Sequence, residues 1–100
     1  MVLLYVTFPG LRAAEAAALS VLSKRLAACV NIFPCRSAYL WKGRVVREKE
    51  FIGLFKTTKA RVAAAKAAII SVHPYDVPCV LELPEKANAA FGKWVRAELG

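Results

Sequence analysis

The sequence predicts an α+β domain built on an antiparallel sheet with helices on one face. Segments rich in β-branched and aromatic residues alternate with alanine-rich segments of helical period, in the order β-α-β-β-α-β followed by a last helix. Two helical crossovers and one hairpin between the strands are typical of such α+β folds. The length of 100 residues allows a single domain, residues 1–100.

The first half of the chain predicts two strands and a helix. Residues 2–8, VLLYVTF, form a short apolar run that a Pro-Gly pair ends, so we expect a buried strand. The alanine-rich residues 11–26 predict a helix. Its expected core-facing stripe is Leu11, Ala18, Leu19, Leu22 and Leu26. Residues 28–33, ACVNIF, predict the second strand, which we expect to jog at Pro34 and resume as SAYLW.

The two middle strands predict a hairpin that is longer than its own domain. Lys42 and Gly43 form the tight turn, with glycine where a positive φ is needed, and residues 44–57 return as the third strand. Thirteen residues of strand span about 44 Å. A compact domain of this length has a radius of gyration of about 13 Å and a diameter near ~33 Å. The hairpin tip should therefore overhang the domain and reach a neighbouring molecule.

The second half of the chain predicts a helix, a strand and a terminal helix. Thr58 can cap a helix that continues through Val72. That helix ends because the residue before Pro74 avoids the helical region. Residues 77–83 predict the fourth strand, and Asn88 opens the last helix.

The apolar content predicts assembly with other copies. Hydrophobic residues make up 58% of the chain and the mean hydropathy is +0.43, more than a lone domain of this size can bury. A sheet with one wet face should alternate apolar and polar residues, yet three of these strands are apolar on both sides. We therefore expect identical subunits to cover the sheet face that the helices leave bare.

The cysteine content, the apolar runs and the net charge of the sequence limit the functional classes to consider. No run approaches the roughly 18 apolar residues of a membrane helix, and the first residues lack the pattern of a signal peptide. The three cysteines are an odd number at no zinc-like spacing, so we expect reduced thiols in the cytoplasm and no membrane contact. The net charge of +8 raises the prospect of an acidic partner.

Four segments taken together resemble a known family. RLAACVN (25–31), YLWKG (39–43), KTT (56–58) and HPYDVP (73–78) are similar, in order and spacing, to the signature segments of the CutA proteins, which are named for divalent-cation tolerance. The similarity covers nearly the whole chain. It implies a ferredoxin-like subunit in a tight homotrimer of PII-like architecture, a link to copper tolerance, and no established catalytic reaction.

The resemblance also implies where a metal would bind. Family members with a copper site use a cysteine in the first strand and a His-His pair before Pro-Tyr. These positions are Val6, Val72 and His73 here, so only His73 carries over. Imidazole and thiolate suit copper and zinc. We expect a metal contact at His73, with Cys29 a weaker candidate that requires tertiary packing or a second subunit. Copper or another divalent cation should bind weakly or not at all.

Each of these candidate site residues also has a purely structural interpretation. His73 can instead be a partly exposed ring at a helix C-terminus, where it interacts with the last carbonyls. Cys35 and Cys79 stand where the family commonly has glycine and glutamate, and neither has a better claim to a metal than Cys29. A free cysteine commonly behaves as a small buried hydrophobe.

The matching segments also predict a ligand cleft between subunits. Lys56, Tyr75, Trp41 and Tyr39 fall in these segments, and polar and aromatic groups at subunit junctions often bind small molecules. A small anionic ligand or a metal ion is the expected occupant. The alternative is that the three aromatic residues only pack the interface.

Two other functional classes fit less well. RNA-recognition domains share this element order, and basic residues surround one acid along the hairpin: Arg36, Lys42, Arg44, Arg47 and Lys49 around Glu48. However, KEFIGLF lacks their third-strand glycine pattern, and its apolar residues favour a dry contact. We expect Glu48 and Glu50 to pair with neighbouring cations on a solvated strand. One histidine and no Gly-rich phosphate loop leave little from which to build an enzyme.

Overall fold

The structure is a computed structural model and describes all 100 residues. Its strands are β1 (Val2–Phe8), β2 (Cys29–Trp41), β3 (Arg44–Thr57) and β4 (Val80–Pro84), and its helices are α1 (Leu11–Ser23), α2 (Val62–Val72) and α3 (Ala89–Leu99). The strands form one antiparallel sheet in the order β2-β3-β1-β4. This is the ferredoxin-like α+β fold that the sequence predicts, with the terminal helix added.

The core lies between α1, α2 and one face of the sheet. Alternate residues of β1 point to this face, and all four of them are buried: Val2, Leu4, Val6 and Phe8. The helices meet them mainly through small side chains: Ala14, Ala17, Ala18, Ala65 and Ala68, with Val21 and Ile69. Alanine lets a helix lie close to the sheet, whose own side chains fill the space between them.

The predicted core stripe of α1 was wrong at three positions. Leu11, Leu19 and Leu22 are exposed, and Leu19 retains 69% of its accessible surface. The alanines two or three positions away face the core in their place. The large rings of Phe8 and Phe55 already fill this part of the interior, so only small helix residues fit against them.

Three predicted boundaries also differ from the structure. The strand β2 passes through Pro34 without a jog, because it is an edge strand, where a proline is tolerated. The hydroxyl of Thr58 caps no helix; its backbone carbonyl instead accepts from the N–H groups of Arg61 and Val62, at 3.1 and 2.9 Å. The strand β4 begins at Val80 rather than at residue 77.

The hairpin extends beyond the sheet as a two-stranded ribbon. β1 pairs with β3 only as far as Phe51, so residues 35–41 and 44–50 pair with each other alone, over about 24 Å. We call residues 35–50 the ribbon. Lys42 and Gly43 both have positive φ, at 50° and 77°, as the predicted turn requires. The molecule is 44 Å long and exposes 6510 Å², against about 5,600 Å² for a compact chain of this mass.

The second face of the sheet is also apolar and has neither α1 nor α2 against it. We call it the open face. Leu3, Tyr5 and Leu54 are half-buried there, and Leu81 and Leu83 are exposed. At its far end α3 contacts β3, where the Lys56 ammonium lies 5.3 Å from the centre of the Phe91 ring. The strands that are apolar on both sides in the sequence therefore do form a second apolar face of the sheet.

Replacing Gly53 with alanine should destabilise the fold. A Cβ at this position would lie 2.7 Å from Cε1 of Phe55 and 3.1 Å from Cε2 of Phe8. Both rings are fully buried and cannot move aside. Urea unfolding should show a loss of about 1–3 kcal/mol for Gly53→Ala, as expected for overpacking.

Gly92→Ala in α3 is the matched control. Its Cβ would lie 3.3 Å from the flexible guanidinium of Arg96 and in ordinary contact with the Ala87 Cβ at 4.0 Å. This substitution should stabilise the chain by up to about 1 kcal/mol, because alanine favours a helix over glycine. Equal stability of the two variants would contradict the described packing of β3.

Candidate functional site

A groove of about 900 Å³ separates the ribbon from the loop between α2 and β4. The ribbon contributes one wall, with Tyr39, Trp41, Glu48 and Glu50. The loop contributes the other wall, with Pro74, Tyr75, Asp76 and Val77, while Thr7 and Cys79 lie at the sheet end. The groove thus brings together three of the four residues that the sequence predicts for a ligand cleft.

Strand periodicity explains which ribbon residues face the groove. Residues directly opposite each other in an antiparallel pair share a face, and the register pairs Tyr39 with Val46 and Ser37 with Glu48. Side chains two residues apart also share a face, so Trp41 and Glu50 join this set. The aromatic rings and the carboxylates therefore lie on the same side of the ribbon.

Glu50 and Tyr75 form the buried part of the groove. The Tyr75 hydroxyl donates to Oε2 of Glu50 at 2.6 Å, and Glu50 is only 5% exposed. The two ion pairs of the chain, Arg25–Glu98 and Lys66–Glu82, lie elsewhere, so no cation is within 4.0 Å of Glu50.

The expected pairing of Glu48 and Glu50 with neighbouring cations was therefore wrong. Arg47 and Lys49 alternate with the two acids along β3 and so point to the opposite face of the ribbon. Sequence reasoning missed Glu50 as a site residue. The alternation of side chains along β3 would have found it, because this alternation places both acids on the same face of the strand as Ile52 and not on a solvated face.

The surroundings of the groove disfavour ionised phenols and thiols. Desolvation and the hydrogen bond to Glu50 raise the pKa of Tyr75 well above its ordinary value. Desolvation and Glu48 raise the pKa of Tyr39, and desolvation followed by the nearby cysteines raises that of Tyr5. Burial and the charge of Glu50 raise the pKa of the Cys79 thiol. These groups keep their protons at neutral pH.

His73 uses both of its ring nitrogens. Its Nε2 lies 2.7 Å from the carbonyl oxygen of Thr7, and the backbone N–H of Tyr75 donates to its Nδ1 at 3.1 Å. A carbonyl only accepts, so the proton of the neutral ring sits on Nε2. The ring also stacks on Phe8, with 4.8 Å between centroids. The His73 ring therefore contacts β1 and the loop, and it does not interact with the last carbonyls of α2 as the structural interpretation expected.

The other predicted metal and ligand residues lie apart from His73. Cys29 pairs in register with Lys56 beside Leu3, whereas His73 contacts Thr7, four residues along β1 and about 13 Å away. Lys56 is therefore at the α3 end of the sheet and outside the groove. All three cysteines are free, and no three His, Cys, Asp or Glu side chains of one chain converge as metal ligands would.

Comparison with known proteins identifies the family. The model of the CutA1 divalent ion tolerance protein family matches residues 2–98. The chain belongs to the CutA1 family. The divalent-cation tolerance protein CutA of Thermotoga maritima is 37% identical over 97 residues, which are 96% of each chain. Human protein CutA is 42% identical over 92% of this chain and 52% of its own length.

Solved CutA structures share the whole fold. The periplasmic divalent cation tolerance protein CutA of Archaeoglobus fulgidus is 34% identical with a TM-score of 0.95, and all of both chains is covered. The protein from Thermus thermophilus is 36% identical with a TM-score of 0.93, again over both whole chains. These relatives are named for tolerance to divalent cations and none for a reaction. No helix of this chain is long and apolar enough to cross a bilayer.

Alkaline titration should show three tyrosines that ionise late. In the unfolded chain all three tyrosines should have a pKa of about 10. In the folded chain the pKa of each is raised. The folded state then holds protons that the unfolded state releases. The tyrosine contribution to its stability should be constant below about pH 10 and should fall as the pH rises further. The ultraviolet absorbance of tyrosinate measures the first effect and denaturant unfolding the second.

Tyr75→Phe should remove the tyrosine that ionises at the highest pH. Tyr39→Phe is the control, since it removes a phenol and leaves the bond between Tyr75 and Glu50 in place. A folded chain whose tyrosines all titrate at the pH of the unfolded chain would disprove the described pairing.

Proposed function

We propose that this chain is the subunit of a homotrimer that acts in divalent-cation tolerance, with copper as its favoured metal. Family membership supports the role, because the CutA relatives carry that name. The observation that supports assembly is the open face, an apolar sheet surface with no cover from α1 or α2. Identical copies around a threefold axis would bury it, as the resemblance to CutA and PII-like proteins implies.

The ribbon supports the same assembly. A two-stranded ribbon is at best marginally stable alone in water. This one also exposes large apolar side chains at its tip, including Leu40 at 76% and the neighbouring Val45 and Trp41. Contact with a neighbouring copy would stabilise the ribbon and remove these side chains from water. The groove at the base of the ribbon would then lie near a subunit junction.

Metal binding at His73 would be weak in this proposal. The lone pair of Nδ1 already accepts from the Tyr75 N–H, so a metal must displace that bond. Cys79 is close to the same loop, but burial and Glu50 keep its thiol protonated. Cys29 lies at the other end of the sheet and would complete a site only if a second copy supplied it. Copper or zinc suits this set of nitrogen and sulfur donors.

The ribbon does not favour the RNA-binding alternative. An RNA site needs stacking aromatics and phosphate-binding cations on one surface. Tyr39 and Trp41 share their face with two acids. Arg44, opposite Trp41, is the one strand cation of the ribbon on that face, whereas Arg47 and Lys49 point to the other side. We place the protein in the cytoplasm, in keeping with three free cysteines, although the Archaeoglobus relative is periplasmic.

Light scattering on a sizing column tests the assembly. The parent protein should have three times the 10.9 kDa mass of the chain. Leu81→Lys should dissociate it, because this leucine lies on the open face, yet the single chain should stay folded since the side chain is already 51% exposed. Leu19→Lys, on the outer face of α1, should leave the mass unchanged. A parent protein that runs as a folded single chain would refute the homotrimer.

Calorimetric titration with Cu(II) tests the metal contact. His73→Phe keeps a ring against Phe8 and removes the nitrogen donor. Its affinity for copper should fall at least about tenfold. Removing a residue that hydrogen-bonds to a metal ligand already lowers metal affinity by this factor, and removing the ligand itself should lower it no less. Val72→Ala, an exposed neighbour with no ligand atom, should bind as the parent does. Unchanged copper binding by His73→Phe would exclude this residue as a ligand.

A further inference from the structure

The groove between the ribbon and the α2–β4 loop is acidic although the chain is strongly basic. The chain has 7 acidic and 15 basic residues and a net charge of +8. Three of the acids, Glu48, Glu50 and Asp76, line the groove, and Arg36 is the only Lys or Arg that does. Charge on the surface as a whole repels a cation, whereas charge in this groove attracts one. The small anion expected from the sequence would meet the wrong sign here.

Glu50 lacks a counter-charge in a site where it needs one. It is 5% exposed, and its one hydrogen bond comes from a neutral phenol, to Oε2. No partner contacts Oε1. Because every fully buried side-chain oxygen of the chain has a partner, Oε1 keeps some accessible surface, and Glu50 lines the groove. A carboxylate withdrawn from water is costly unless a positive group pairs with it.

The other walls of the groove suit an organic cation. Tyr39, Trp41 and Tyr75 all line it, and the faces of such rings attract ammonium and guanidinium groups. Trp41 and Tyr39 are 46% and 37% exposed in the single chain. The volume of about 900 Å³ falls within the range of small-molecule sites.

A metal ion fits this groove less well than an organic cation does. Hard cations require several oxygen ligands converging on one point. No three His, Cys, Asp or Glu side chains of the chain converge in that way. An ammonium or guanidinium group needs only one carboxylate and a flanking ring, which Glu50 and the adjacent Tyr75 provide.

We propose that this groove binds a small organic cation of the alkylammonium or alkylguanidinium class, with Glu50 as its charge partner and the rings of Tyr75 and Tyr39 beside it. The inference deepens the proposed function, on which it rests, by naming the ligand class of the cleft. It adds a charge partner, Glu50, that adjoins the metal contact at His73 through Tyr75, which bonds to both residues.

The test uses the full chain and two matched probes, n-butylguanidinium and valerate, at equal ionic strength. Carbon–proton correlation spectra of the aromatic rings follow Tyr39 in the groove, identified by its loss in Tyr39→Phe, and the Trp94 ring on α3 gives the reference signal. The Tyr39 signal should shift saturably with n-butylguanidinium and not with valerate. Glu50→Gln should weaken the binding by about tenfold or more. Glu15→Gln removes an exposed, unpaired acid of α1 and should change nothing.

Several results would overturn the proposal. They are a Tyr39 signal that n-butylguanidinium does not move, as when a basic side chain of a neighbouring copy fills the groove, an equal response to valerate, and unchanged binding by Glu50→Gln. The comparison of the two probes uses the parent protein alone, so it holds even if a variant fails to fold. Diffusion measured on the same sample gives the mass. A trimer without a cation response refutes the groove site only, and a single chain with a response refutes the assembly only.

Discussion

An apolar sheet that is covered on one side only is the constraint on which this structure depends. Helices α1 and α2 pack on one face through alanines, at a distance set by large buried rings such as Phe8. The opposite face carries leucines and aromatic residues and has no comparable layer. Because exposing such a surface to water is unfavourable, a second molecule that covered this face would stabilise the subunit further.

The long hairpin links this constraint to the functional site. The same strands that build the open face continue as the ribbon, and their alternation separates two kinds of surface. One side carries Tyr39, Trp41 and two acids toward the groove, and the other carries Arg47 and Lys49. The assembly and the ligand binding proposed above would therefore use neighbouring parts of one element. A change that shifted the register by one residue would exchange the two surfaces and abolish both.

Periodicity and turn chemistry were enough to predict the element order, the turn at Gly43 and the start of the last helix at Asn88. They were not enough to predict which residues of an alanine-rich helix face the core, because nearly every face of α1 is apolar and the choice depends on the rings opposite. Three cleft residues were predicted from family segments. Glu50 was missed, since its burial depends on Tyr75, which is 25 residues away and meets it only after folding.

Hydrogen exchange at the backbone of the ribbon tests the central claim most directly. If identical copies cover the open face and the ribbon, the amides of residues 35–50 should be protected to a degree comparable with those of β1, at the centre of the sheet. If the chain exists alone, the ribbon is two strands in water, and its amides should exchange almost as fast as those of an unfolded peptide. That second result, with β1 still protected, would contradict the account given above.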